Sequence, residues 1–395
     1  MIIHNPEWLE RLRIAREAKQ WRTSNIVSDA QYAAIKAKYT TPFYTPTLFI
    51  RIVLFVFTCI ALSGVYGIAF LTAAASNDSA LAVVCVVIGL LSFVALEVLV
   101  KQRKLYKAGI EEALFYASLC FTIGGMVWIY LEATSDPRLW VVPWMIALPV
   151  LLWGAVRFAD WLVTAGVYVC ALAIVLVPLI EGGGLANAVL PFVAMGFAVA
   201  SYILVRSFSK REALKPWKSC LFIIEVLSLV TLYIGGNYFV VREGNDLLMV
   251  MSGAVPAGNI PFAILFYALT VAIPIAYIVR GLIARDHLLL WTGLIAAVFS
   301  VLTFRYYVHL VPPEVALTIA GLALFLIALF TTRFLKTEPN GFTEKNILTE
   351  KLKDMNAEAL LVSQTLGASP QSTGKLFEGG GGEFGGGGAS GSWQE

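Results

Sequence analysis

Residues 52–71 read IVLFVFTCIALSGVYGIAFL, twenty residues without a charge. At 1.5 Å per residue such a helix spans the hydrocarbon of a bilayer. In lipid the backbone must satisfy its own hydrogen bonds, so the segment reads as a transmembrane helix. Comparable runs recur along the chain, which is 58% hydrophobic and only 14% charged over 395 residues, with a mean hydropathy of +0.77. Soluble domains average about 45–50% apolar and about 25% charged residues. The fold class expected is therefore an all-α integral membrane protein, with about ten transmembrane helices, short helical cytoplasmic ends and a disordered Gly-rich tail.

Ten spans are expected: 50–75, 79–100, 110–131, 139–156, 160–180, 185–206, 217–241, 260–284, 288–308 and 314–335. The fourth is short and holds Pro143 and Pro149. With the N-terminus placed in the cytoplasm, 26 of the 29 Lys and Arg residues fall on the inside, and only Arg138, Arg242 and Arg305 fall elsewhere. Both ends are then cytoplasmic, and a bacterial inner (cytoplasmic) membrane is the expected location. The first 47 residues are polar and charged, so the first hydrophobic helix is expected to direct insertion without a cleaved signal.

Four regions follow: a cytoplasmic helical N-terminal region (1–49), the ten-helix domain (50–335), a cytoplasmic amphipathic helix (336–367) and the Gly-rich tail (368–395). Asn5-Pro6 predicts a capped helix, and Ser28-Asp29 caps a second, SDAQYAAIKAKY, broken by TTPFYTP at 40–46. In the amphipathic segment, Leu348, Leu352, Met355, Ala359, Val362 and Leu366 step by four and three. That stripe docks on the protein itself, on the membrane or on a partner helix. The longest external loop is expected at 242–259, REGNDLLMVMSGAVPAGN.

No constellation of catalytic, cofactor or metal residues emerges. His4, His287 and His309 fall in different places, and the five cysteines sit in five separate segments without C-x-x-C spacing. They read as small apolar residues. Cofactors are expected to be none, and the small net charge of +3 gives no nucleic-acid signal. Glu97 and Lys101 form an i,i+4 pair, Glu111 and Glu112 open the third span, and Asp160 caps the fifth.

The intramembrane candidate is Glu225, seven residues into the seventh span within LFIIEVLSLV, where no neighbour in sequence explains it. Such a group is either protonated and bonded to a neighbouring helix or part of an ion or proton path. At the outer face, RYYVHLVPPE gathers Arg305, Tyr306, His309 and Glu314, alternatively an aromatic belt with a proline turn. Gly124-Gly125 and Gly235-Gly236 permit close helix contact and, four helices apart, hint at an internal duplication.

Two resemblances can be drawn. IVSDAQYAAIKAKY, the first span, and KLYKAGIEEALFYASLCFTIGGM resemble an uncharacterised family of predicted bacterial multi-pass membrane proteins, with a short soluble helical region before about ten hydrophobic helices. The resemblance implies no activity. The tail GGGGEFGGGGASGSW is similar to the tails of bacterial TPM-domain membrane proteins, with Phe384 and Trp393 as candidate anchors. It lacks a preceding TPM domain, and Glu383 interrupts its glycines. It implies a cell-envelope context. The leading functional expectation is an accessory or scaffolding membrane protein whose partners, beyond the bilayer, engage its cytoplasmic ends and tail. The alternative is a small-solute or ion transporter using Glu225.

Overall fold

The computed structural model describes residues 3–307, except 4, 25, 74–77, 135–139, 184, 252 and 254–259, together with 322 and 325. The expected tenth span, the amphipathic segment, the Gly-rich tail and the anchors Phe384 and Trp393 otherwise lie outside the described residues, as do His4, His309 and Glu314.

Two helices precede the membrane region. Helix α1 (Pro6–Thr23) starts where Asn5 Oδ1 accepts the Glu7 N–H at 2.9 Å. Helix α2 (Asp29–Lys38) is opened by a reciprocal cap: Gln31 N–H donates to Ser28 Oγ at 3.3 Å and Ser28 N–H to Gln31 Oε1 at 2.9 Å. Ten further helices follow: α3 (Leu48–Ala73), α4 (Asp78–Arg103), α5 (Ile110–Ala133), α6 (Val141–Phe158), α7 (Trp161–Gly182), α8 (Leu185–Ser209), α9 (Lys218–Gly236), α10 (Tyr238–Met251), α11 (Ala263–Ala284) and α12 (His287–Tyr307). All but α10 are long and apolar enough to cross a membrane, giving nine spans among the described residues. The protein is an all-α, multi-pass membrane protein.

The chain divides into two units, Met1–Glu17 with Ile35–Ala316, and Ala18–Ala34 with Leu317–Glu395. In the second, Arg22 pairs with Asp29 at 2.5 Å and lies 5.3 Å from the centre of the Tyr32 ring. The cores and sites described below lie in the first.

Beside a smaller buried cluster of Tyr238 of α10, Ile260, and Phe266 of α11, two cores hold that unit together. One joins Leu96 and Val100 of α4 to Leu114, Phe115 and Leu119 of α5, Ala155 of α6 and Val163 of α7. The other joins Leu229 and Tyr233 of α9 to Ile273 and Tyr277 of α11 and Leu289 and Ala296 of α12. Large apolar side chains such as Phe49, Ile264 and Trp291 point away from the protein, as a lipid-facing surface requires. Of the cysteines, Cys85, Cys170 and Cys220 are buried, but Cys120 sits on the exposed surface rather than in a core.

One packing pattern occurs twice. Helix α4 packs on α5 and α6 on α7; likewise α8 packs on α9 and α11 on α12. Helix α3 lies on α4 and α5 as α7 lies on α8 and α9. Within it, Ser118-Leu119 and Gly125 of α5 recur with the same spacing as Ser228-Leu229 and Gly235 of α9, all buried. A Cβ on Gly125 would meet the α4 backbone at 2.8 Å, and one on Gly235 would meet Met195 Cγ and Pro191 O of α8 at 2.9 and 3.2 Å. The turns also match. Ala159 and Arg285 end α6 and α11 in the left-handed region, and Asp160 and Asp286 immediately cap α7 and α12.

The sequence reading needs one correction. The expected span 217–241 is not continuous, because α9 stops at Gly236 and Asn237 is extended. Asn237 Oδ1 then accepts from Phe239 N–H and Val240 N–H at 3.0 and 3.3 Å, starting α10 afresh. The expected external loop 242–259 therefore begins as helix, through Met251.

Candidate functional site

Charged side chains collect at one end of the bundle, called here the basic end, where α4 and α8 finish and α7, α9 and α12 begin. Each helix start leaves N–H groups unpaired, and carboxylates suit them. Asp160 illustrates this: its Oδ1 accepts from Leu162 N–H at 2.9 Å and Val163 N–H at 3.0 Å, while Oδ2 accepts from Tyr116 OH at 3.1 Å. The cap expected there is present.

Three ion-pair clusters join helices across this end. Arg51 of α3 donates through Nε to Glu112 of α5 at 2.7 Å. Glu97 of α4 accepts from Arg157 of α6 at 2.8 Å and from Lys101 at 3.0 Å, so the expected i,i+4 pair exists inside a larger cluster. Arg206 of α8 reaches Asp286 Oδ2 at 2.8 Å and Glu225 Oε1 at 3.4 Å, and also bonds the Tyr202 hydroxyl. Asp286 Oδ1 simultaneously accepts from Leu288 N–H at 3.0 Å. Helical side chains lean toward the N-terminus of their helix, so Glu225 reaches back toward the start of α9 and meets Arg206.

Glu225 is thus partnered, which its sequence neighbourhood does not reveal. Arg206, Tyr202 and Asp286 belong to the same site and lie on other elements. Glu111, at the start of α5, is buried; Oε1 accepts from Ala108 N–H at 2.7 Å, while Oε2 has no hydrogen-bond partner among the described residues.

The N-terminal region is fastened to the α4–α5 connection. Trp8 meets Phe43 edge-on at 5.6 Å, Phe43 packs on Tyr106 at 5.2 Å, and Arg16 and Lys104 lie over the Tyr106 and Trp8 rings at 5.7 and 5.4 Å. Tyr44 N–H donates to Lys104 O at 3.2 Å, and Ile3 N–H to Arg157 O at 3.0 Å. The connection ends at Gly109, whose φ is 97°; a Cβ there would lie 2.2 Å from Arg51 O. Glycine is needed both for that conformation and for that approach.

At the opposite end, a buried polar network closes the break between α9 and α10. Asn237 Nδ2 donates to Tyr233 OH at 2.8 Å and to Thr303 Oγ1 at 3.1 Å; Tyr233 OH and Ser300 Oγ are 2.9 Å apart. Ser300 Oγ donates to Thr270 O at 2.6 Å, and Thr270 Oγ1 accepts from Tyr238 N–H at 2.9 Å. Of the N–H groups freed by the break, that of Tyr238 is taken by Thr270 of α11 and those of Phe239 and Val240 by the Asn237 side chain. Of the expected outer cluster, Arg305 and Tyr306 line a groove of about 790 Å³ with Phe239, Phe299, Leu302 and Thr303. Tyr306 stacks edge-on against Phe239 at 5.2 Å, and Tyr307 OH donates to Glu243 at 2.6 Å.

Among the described residues no group of His, Cys, Asp and Glu is arranged to hold a metal ion. No protein-family model matches the chain, and no curated protein or solved structure matches it either.

Proposed function

We propose that this is an accessory or scaffolding protein of the bacterial cytoplasmic membrane, with both chain ends on the cytoplasmic side and its partners engaged there. The observation that supports this reading is the use of charge at the basic end. The carboxylates Glu97, Glu112, Glu225 and Asp286 each hold two elements together through an arginine. Charge fixed between helices favours one rigid arrangement, which suits presentation of a surface. The aromatic docking of α1 on the α4–α5 connection extends that surface beyond the membrane. The Gly-rich tail serves in this reading as a tether carrying Phe384 and Trp393 toward a partner.

The test is reconstitution. Proteoliposomes of the full chain should carry no more proton, sodium or potassium flux than empty vesicles, and Glu225→Gln should change nothing. A flux that Glu225→Gln abolishes would replace this reading with the transporter. That second reading has one observation in its favour: a helix interrupted at Asn237 beside buried polar groups, a device used at transporter sites.

Sidedness is tested separately. A reporter fused after Phe334 should be active in the cytoplasm, and a periplasmic signal there would overturn the proposed orientation.

A further inference from the structure

Among the described helices α10 is the most amphipathic, and beyond Tyr238 and Val241, which pack with Ile260 and Phe266, its apolar face does not close against the bundle. Val240, Val241, Gly244, Leu247 and Leu248 recur along one side at helical spacing, and all five line a cavity of about 410 Å³. The remaining wall comes from α7, α8, α9, the segment before α11 and the start of α11. Among the lining residues only Thr231 and Asn245 have polar side chains. The floor is deep, since Ala194, Ile260 and Phe266 are buried. The rim is open: Ile180, Ile234, Val240 and Leu247 are all exposed. Gly244 faces empty space, for a Cβ placed on it would meet nothing within 4 Å.

A cavity this apolar offers water almost no hydrogen-bond partners, and apolar cavities stay dry and accept hydrocarbon. Its size falls in the range of ligand pockets. The rim belongs to helices that face lipid, so the solvent at the mouth is acyl chain. The other side of α10 carries Arg242, Glu243 and Asp246, which places this helix at the edge of the bilayer, where a lipid's head meets water and its tail turns inward.

We infer that this cavity is a lipid site: α10 lies as a lid over one acyl chain of a membrane phospholipid, entering sideways between α7, α8 and α10. The site stands apart from Glu225 and from the basic end, so it does not depend on the scaffold reading. A chain in this position would fix α10 to the bundle at the helix break.

The test uses the full chain in phosphatidylethanolamine and phosphatidylglycerol vesicles doped with a phospholipid bearing a diazirine in its acyl chain. After photolysis, peptide mass spectrometry reads where label is attached. Label on the cavity residues of α8 and α10 should exceed, several-fold, that on the exposed side of α12 at Leu294, Ile295 and Val298. In Gly244→Leu, whose side chain fills the space, cavity label should fall to the α12 level while α12 label is unchanged. Wild-type cavity label no higher than that of α12 would overturn the inference, whether the space is empty or filled by another part of this chain. Undiminished cavity label in Gly244→Leu would also overturn it. The wild-type comparison decides even where the variant folds poorly.

Discussion

Gly125→Val is expected to unfold the protein at markedly lower denaturant than wild type, because α5 touches α4 there without an intervening side chain. A Cβ on Gly125 would lie 2.8 Å from both Ala82 O and Val86 N. These are backbone atoms of a helix, which cannot rotate aside as a side chain can. The same contact is made from the other side, where a Cβ on Gly89 would approach Thr122 N to 2.6 Å. Helices in lipid have no hydrophobic drive to associate, so close packing of this kind carries much of their affinity. Overpacking a tight core costs about 1–3 kcal/mol, and a branched side chain against backbone belongs at the upper end. Gly124 supplies the control: a Cβ there meets nothing within 4 Å, so Gly124→Ala should stay within about 0.5 kcal/mol of wild type. Titration with SDS in mixed micelles reads both. Equal behaviour of the two variants would contradict the packing described here.

Arg206→Met should cost nearly as much, for an electrostatic reason. One guanidinium serves Asp286 at 2.8 Å and Glu225 at 3.4 Å. Removing it leaves two carboxylates, both largely shielded from water, facing one another. Removing one partner of a fully buried pair costs about 3–5 kcal/mol. The Arg206 side chain is 40% exposed, so solvent screening lowers the expectation to about 1–3 kcal/mol. Glu225→Gln should be far milder, because Arg206 keeps Asp286. Adding Glu225→Met to Arg206→Met should restore part of the loss, since one of the stranded carboxylates is gone. No restoration would mean that Glu225 is not coupled to Arg206.

How much of this was legible in the sequence depends on which force placed each residue. Spans such as α3 follow from twenty uncharged residues, because lipid imposes a length. Caps at Asn5, Ser28 and Asp160 were legible because capping is local. The break at Asn237 was not, since apolar residues continue on both sides of it, in TLYIGG and YFVV. The hydroxyls of Thr270 on α11 and of Ser300 and Thr303 on α12 help make it tolerable, and those are remote in sequence. Glu225 stood out as a charge in apolar text, yet Arg206 and Asp286 come from other elements, and hydropathy does not encode how helices rotate against one another. Gly124-Gly125 and Gly235-Gly236 look alike in sequence, but only the helix packing separates Gly125, pressed against α4, from Gly124, where a Cβ would meet nothing within 4 Å.

The twice-used packing pattern carries a consequence for symmetry. From α4 to α8 the chain crosses the membrane four times, an even number, so the second copy enters facing the same way as the first. Asp160 and Asp286 therefore cap their helices at the same surface, and the Glu97–Arg157 and Arg206–Asp286 pairs share one layer. An odd step would have inverted the second copy and divided the arginines between two faces. Parity of crossings is what allows one half of this bundle to echo the other while all three ion-pair clusters stay on a single side.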